Sequence, residues 1–267
     1  MNIIRAIIRF LFEKAIFFLK ERLNPQKKLS QKIWEKFVPR EVRIASIACA
    51  RLLIQYNLYG SLTTHKIIDD KGSPMPWITY TCWEFLEQLD LKNKEVFEWW
   101  GGNSTLYWAR QAKSVISIED DEKWFSVIKP QLPDNAKMFL CNEFYLNQIK
   151  NYGLFDIIFV DSDDKFRVQS TIASVDHVRE GGMIILDNSD MYPQAAEFLR
   201  GKGFTQIDFF GFAPQVSYVS VTSIFFKILN FPMKYQKRPV FSHARGVTWD
   251  RTELMHIPLK DFLSVSE

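Results

Sequence analysis

Two carboxylates, Glu98 and Glu119, stand twenty-one residues apart on either side of a glycine-containing segment. Glu98 opens the run Glu98-Trp99-Trp100-Gly101-Gly102-Asn103-Ser104-Thr105, and a helical pattern follows over 106–112. A glycine turn between strand and helix lets a ligand approach the backbone and places it near the positive end of the helix. The next apolar run ends in Glu119, where a carboxylate can accept hydrogen bonds from both hydroxyls of a ribose. The competing reading is that Glu119 caps a helix beginning near Asp121. A second acidic group lies further along, in Phe159-Val160-Asp161-Ser162-Asp163-Asp164-Lys165 and in Asp187-Asn188. Asp161 and Asp187 are twenty-six residues apart, one crossover helix plus one strand, so the chain returns to the same sheet edge and the two carboxylates converge. Alternatively, Asp187 and Asn188 form only an Asx turn.

Positioning these groups requires strands that end where the acids begin. Short β-branched and aromatic runs alternate with helical stretches from Trp77 onward, the pattern of parallel strands joined by crossover helices. The expected strands are 95–99, 114–119, 137–140, 155–161, 183–187, 205–210 and 217–226. Between the last two, 211–216 leaves no room for a helix, so they form an antiparallel hairpin. The fold expected is α/β: a doubly wound, mostly parallel seven-stranded sheet ending in that hairpin, with an N-terminal helical appendage. The turn-forming residues Asp69, Asp70, Gly72, Pro74 and Pro76 mark a boundary. The chain is accordingly divided into 1–73, 74–230 and a C-terminal extension 231–267.

The net charge of +3 conceals an asymmetry. Residues 1–60 carry twelve Lys or Arg against four Glu, so the basic character belongs to the N-terminal segment. Within it, Ile3, Ile4, Ile7, Ile8, Leu11, Ala15, Phe18 and Leu19 recur at helical spacing with Arg5, Arg9, Lys14 and Lys20 between them. Charges interrupt each apolar run well short of a bilayer span, and no small-residue cleavage site follows. This amphipathic helix either packs on the protein or a second subunit, giving a homo-oligomer, or attaches peripherally to an anionic membrane through residues 1–23. After a polar break over 24–30, helical periodicity returns over 33–59. Cys49, Cys82 and Cys141 are widely spaced in apolar surroundings, which suits reduced packing residues in a cytoplasmic compartment better than a disulfide framework.

The run 96–105 resembles the E-x-G-x-G-x-S-T loop of class I S-adenosylmethionine-dependent methyltransferases, in particular bacterial proteins whose domain opens with P-W-x-T-Y. That segment reads Pro76-Trp77-Ile78-Thr79-Tyr80 here, and the family's G-G-M-I-I-L-D-N-S-D stands at 181–190; the resemblance covers about 74–226. It implies a Rossmann-like fold and S-adenosylmethionine as cofactor. The cofactor would be held by Trp77, Tyr80, Glu98, Gly101, Gly102, Asn103, Ser104, Thr105 and Glu119, with Asn142 and Glu143 near the adenine. The sequence departs from the family at Trp100, which stands where the family has its first loop glycine. The run around Asp161 and the Asp187-Asn188 pair also resemble catechol and caffeoyl-CoA type O-methyltransferases. In those enzymes the equivalent residues bind a divalent cation, so Asp161, Asp187 and Asn188 are candidate ligands for Mg²⁺, and Asp161 is the candidate catalytic base.

The reaction expected is methyl transfer to an oxygen, or else a nitrogen, of a small molecule or glycan. Two other classes compete with it. A catalytically silent methyltransferase-like binding or scaffold protein is favoured by Trp100. An NAD(P)-dependent oxidoreductase shares the strand, loop and Glu119, but the loop lacks the third glycine of G-x-G-x-x-G. Nucleic acid is not an expected partner, because the basic residues form no recognised module. His65, His177, His243 and His256 are scattered, with His177 on a crossover helix, and there is no nucleophilic serine elbow.

Overall fold

A computed structural model of the chain describes residues 39–141 and 145–228. The amphipathic helix over 1–23, the break over 24–30, Asn142, Glu143, the extension 231–267, His243 and His256 lie outside the described residues. The chain divides into two compact units at Ser73/Pro74. No helix among the described residues is long and apolar enough to cross a membrane.

In the first unit, α1 (Arg40–Ala50) runs into a π-helical turn, Arg51–Gln55, and is followed by α2 (Leu58–Thr64). Asn57 enters α2 with a left-handed backbone, φ 51°, and its Nδ2 donates to the Asp69 carbonyl at 2.8 Å. A Cβ at Gly60 would lie 2.2 Å from Asn57 Oδ1, so a larger residue there would force the Asn57 amide off its bond to Asp69. Asp69 Oδ1 then accepts from the Lys71 and Ser73 amides at 2.9 and 2.7 Å, an Asx turn.

The second unit begins with α3 (Tyr80–Leu86) and continues through β1 (Glu95–Trp99), α4 (Asn103–Gln111), β2 (Ser114–Glu119), α5 (Glu122–Ile128) and β3 (Ala136–Leu140). After a 3₁₀ segment, Tyr145–Asn151, come β4 (Phe155–Val160), α6 (Arg167–Ser174), β5 (Val178–Leu186), α7 (Pro193–Gly201), β6 (Thr205–Phe212) and β7 (Val219–Phe226). The sheet order is β3-β2-β1-β4-β5-β7-β6. β1 to β5 are parallel, and β7 runs antiparallel to both β5 and β6. The expected mostly parallel seven-stranded sheet with its terminal hairpin is therefore the fold observed.

Strand alternation divides the core between two faces. Phe97, Trp99, Ile158, Val160, Ile184 and Leu186 pack with Val168 of α6 and with Ala195 and Leu199 of α7. Val96, Ile157, Phe159, Met183 and Ile185 pack with Cys82 and Leu86 of α3 and with Tyr107 and Trp108 of α4. Both faces are covered, which is why the central strands read as near-continuous apolar runs. His177 sits in the 3₁₀ turn Val175–His177 after α6, with Nδ1 3.2 Å from the Gly153 carbonyl.

Candidate functional site

Strand order reverses between β1 and β4, and open α/β sheets bind ligands at the carboxyl ends of strands beside such a point. The acids reach it by simple register. Glu98 lies opposite Ser117, so Trp100 comes level with Glu119, and Asp161 and Asp187 are the first residues beyond β4 and β5.

Glu98 alternates with Phe97 and Trp99 and therefore turns toward the start of α4, where it is fully buried. Its Oε2 accepts from the Thr105 hydroxyl, which in turn accepts from the Gly102 amide at 2.9 Å. Oε1 has no hydrogen-bond partner among the described residues. Burial pushes the Glu98 carboxyl up to about 7 against the lowering pull of the Ser104, Thr105 and Ser117 hydroxyls. Glu119 is also fully buried; its Oε1 accepts from the Asp120 and Asp121 amides at 3.0 and 2.7 Å, while Oε2 has no partner. Burial raises Glu119 to about 8. The helix cap itself is Asp121, whose Oδ1 accepts from the Trp124 amide at 2.8 Å. Two adjacent strands thus each present a buried carboxylate oxygen that lacks a donor.

The loop between these acids is tightly packed. Trp100 adopts a left-handed backbone, φ 73°, where the resembling family has glycine. A Cβ on Gly101 would come within 2.0 Å of Ser117 Oγ on β2 and 2.5 Å of Met138 Cε on β3, so packing against both strands favours glycine there. Gly102 is covered by the Trp124 indole, whose Nε1 donates to the Gly101 carbonyl at 3.0 Å. Asn103, Ser104 and Thr105 form the first turn of α4, with Ser104 and Thr105 buried.

A cleft of about 210 Å³ opens beside the loop, lined among others by Trp77, Trp100, Asp161, Arg167, Asp187 and Asn188. Asp163, Asp164, Tyr218 and Ser220 also line it. Asp161 Oδ1 pairs with Arg167 Nη2 at 2.9 Å. Asp187 Oδ1 accepts from the Thr222 hydroxyl at 2.6 Å, and Thr222 accepts from the Thr79 amide at 3.0 Å. The threonine of the Pro76–Tyr80 segment therefore clips that segment to β7, which brings the half-exposed Trp77 to the cleft; Tyr80 is buried at the start of α3. Asn188 has a left-handed backbone, φ 52°, and donates to Ser220 Oγ at 3.0 Å. Burial raises both Asp161 and Asp187, and the Arg167 guanidinium opposes this at each; Glu98 and Asp164 raise Asp161 further, and Asp161 raises Asp187.

Sequence reasoning did not single out Arg167, Thr222, Trp124 or Tyr145. Tyr145, 3% exposed with an unpartnered hydroxyl, lies between Trp99 at 5.2 Å and Phe166 at 5.2 Å. None of these four sits in a spacing pattern; only the tryptophan after a cap and the arginine opening a helix after an acidic run were visible as isolated features.

No family model matches the chain, and no curated protein matches it. Solved structures similar to parts of the chain include several methyltransferases. One from Pyrococcus furiosus is 19% identical, with 69% of this chain and 100% of that chain covered and a TM-score of 0.45. The precorrin-6y C5,15-methyltransferase of Geobacter metallireducens is 15% identical over 52% of this chain and 81% of its own, with a TM-score of 0.43. The O-methyltransferase TomG of Streptomyces achromogenes, in complex with SAM, is 14% identical over 50% and 72%, with a TM-score of 0.43. At such identities and overlaps, what the site can do rests on its own residues.

Proposed function

We propose that the chain is an S-adenosylmethionine-dependent methyltransferase acting on an oxygen, or else a nitrogen, of a small molecule or glycan. The observation that carries this reading is the pair of buried, donor-seeking oxygens, Glu98 Oε1 and Glu119 Oε2. A buried polar group without a partner costs about 1–3 kcal/mol, so a ligand bringing donors to both is favoured. S-adenosylmethionine offers an ammonium for Glu98 and a ribose diol for Glu119. A dinucleotide would satisfy Glu119 equally well but would set its pyrophosphate near the carboxylate of Glu98, where the charge has the wrong sign.

The bound donor supplies an electrophilic methyl group on a sulfonium. The chain then has to align an acceptor with it and accept a proton. Trp77, Trp100 and Tyr218 give the cleft apolar and aromatic walls, and Asp161, Asp163 and Asp164 give it proton acceptors. Asp161, held by Arg167, fixes the polar end of the acceptor; its raised pKa keeps it within reach of a proton near neutrality.

Trp100 favours a second reading, a protein that binds without catalysing: its indole lines the cleft, with Nε1 buried and unpartnered. Calorimetry with S-adenosylmethionine, its demethylated product and NAD separates the classes. Binding of the first two is expected, weakened about ten- to a hundredfold by Glu119→Ala, since charge-assisted hydrogen bonds are worth about 1.5–3 kcal/mol. Heat with NAD alone would make it a dinucleotide protein, and no heat with any of the three would remove the enzyme reading. Transfer of labelled methyl from S-adenosylmethionine to an amine, phenol and glycan panel then distinguishes enzyme from binder.

A further inference from the structure

Likeness to the catechol type places a divalent cation among Asp161, Asp187 and Asn188, and the residues present do not fit one. Arg167, the first residue of α6, is 3% exposed and lies against this group. Its Nη2 contacts Asp161 Oδ1 at 2.9 Å and the Asp161 carbonyl at 3.2 Å. Nη1 donates to the Asp187 carbonyl at 2.8 Å, and Nε donates to the Ser162 carbonyl at 2.6 Å. The Tyr192 ring covers the guanidinium at 5.0 Å. One carboxylate oxygen of Asp161 and three backbone carbonyls at the site are thus turned onto a fixed positive charge, which a hard cation there would have to displace or sit against. Of the remaining candidates, Asp187 Oδ1 is engaged by Thr222, and the Asn188 amide is oriented by its donation to Ser220. Among the described residues no three His, Cys, Asp or Glu side chains form a group that could hold a metal ion.

We propose that the Arg167 guanidinium occupies the electrostatic place of that cation, making the acceptor cleft metal-independent, with Arg167 as the positioning residue that joins the ends of β4 and β5. A guanidinium neutralises and orients but has no open coordination position, so it cannot bind an acceptor oxygen and acidify it as a metal does. The acceptor it suits is one whose nucleophile loses a proton without such help, such as an amine or a phenol, delivered against Asp161. Because Arg167 is locked through all three nitrogens, a divalent cation at Asp161 would meet a like charge that has no room to withdraw.

Manganese titration of the full chain, followed by the electron paramagnetic resonance signal of free Mn²⁺, tests this without reference to any methyl donor, so its failure leaves the reading above intact. The wild-type protein is expected to show no saturable binding below millimolar Mn²⁺. Arg167→Ala, which removes the charge and exposes the oxygens, should gain one site at least tenfold tighter, and adding Asp161→Asn should abolish it. If Arg167→Ala does not fold by circular dichroism, Arg167→Gln, neutral and still able to donate hydrogen bonds, replaces it with the same expectation. Saturable wild-type binding that Asp161→Asn removes would overturn the proposal. So would a folded Arg167 variant that binds no more Mn²⁺ than the wild type.

Discussion

Trp100 holds a left-handed backbone that costs a residue with a Cβ about 1–2 kcal/mol. The packing of its indole along the cleft has to offset that cost. In Trp100→Gly strain relief and lost packing oppose one another, so global stability in urea should change by no more than about 1 kcal/mol. The same variant enlarges the cleft and is expected to bind S-adenosylmethionine at least tenfold more tightly by calorimetry; weaker binding would make the indole a contact of the cofactor instead of an obstruction. Glu98 gives a prediction in pH. With its carboxyl raised from 4.5 to about 7, the folded protein keeps a proton that the unfolded chain releases, so ligand-free stability falls as pH climbs through that interval. The loss for Glu98 is about 3 kcal/mol at most. Glu98→Gln should flatten this slope and be the more stable protein at pH 8 in urea titrations at pH 5 and 8. Because an ammonium prefers an ionised acceptor, affinity for S-adenosylmethionine should rise from pH 6 to 8, with protons released on binding. Affinity that does not change over that interval would mean that neither Glu98 nor Glu119 touches the ligand.

The turn from β1 into α4 is held by what cannot fit there. A methyl group on Gly101 would overlap Ser117 and Met138, so Gly101→Ala should destabilise by about 1–3 kcal/mol, and Ser117→Ala in the same chain should recover part of it. Gly153, with nothing within 4 Å of its ideal Cβ, is the control: Gly153→Ala should stay within about 0.5 kcal/mol by chemical denaturation. Elements carried by side-chain pattern were legible in the sequence. The strands 95–99 and 114–119 were placed to the residue because β-branched and aromatic side chains (Val96, Phe97 and Trp99; Val115, Ile116 and Ile118) cluster there between the largely polar stretches 92–95 and 111–114 on one side and a glycine turn or an acidic pair on the other. β5 starts at Val178, five residues before the expected 183, because Glu180, Gly181 and Gly182 interrupt the apolar run while the backbone still pairs Val178 with Phe155. Gly182 is needed there, since a Cβ would lie 2.7 Å from the Asp156 carbonyl. β6 likewise continues through Gly211 to Phe212, where the expected turn was to begin. The convergence of Asp161 and Asp187 could be read from their spacing, but Arg167 could not. Its partners are oxygens of residues 161, 162 and 187, which only the tertiary fold assembles.

Charge is unevenly spread over the whole chain, with the excess of Lys and Arg confined to residues 1–60. Each such residue near an anionic bilayer contributes about 1 kcal/mol, so residues 1–23 are expected to bring the chain to phosphatidylserine liposomes reversibly, with co-sedimentation falling as salt is added. Equal sedimentation after removal of residues 1–23 would dismiss that role. The sheet order has a consequence for how the protein is made. β7 lies between β5 and β6, although β6 precedes it in the chain. A nascent chain emerging from the ribosome therefore has a β6 with no neighbour to join, and its Phe210 and Phe212 stay exposed even when folding is finished. Thr222, on which both Asp187 and Thr79 depend, is translated after both of them. The cleft walls can close only when residue 226 has left the exit tunnel, so translation stalled before that point leaves an open β5 edge for chaperones to shield.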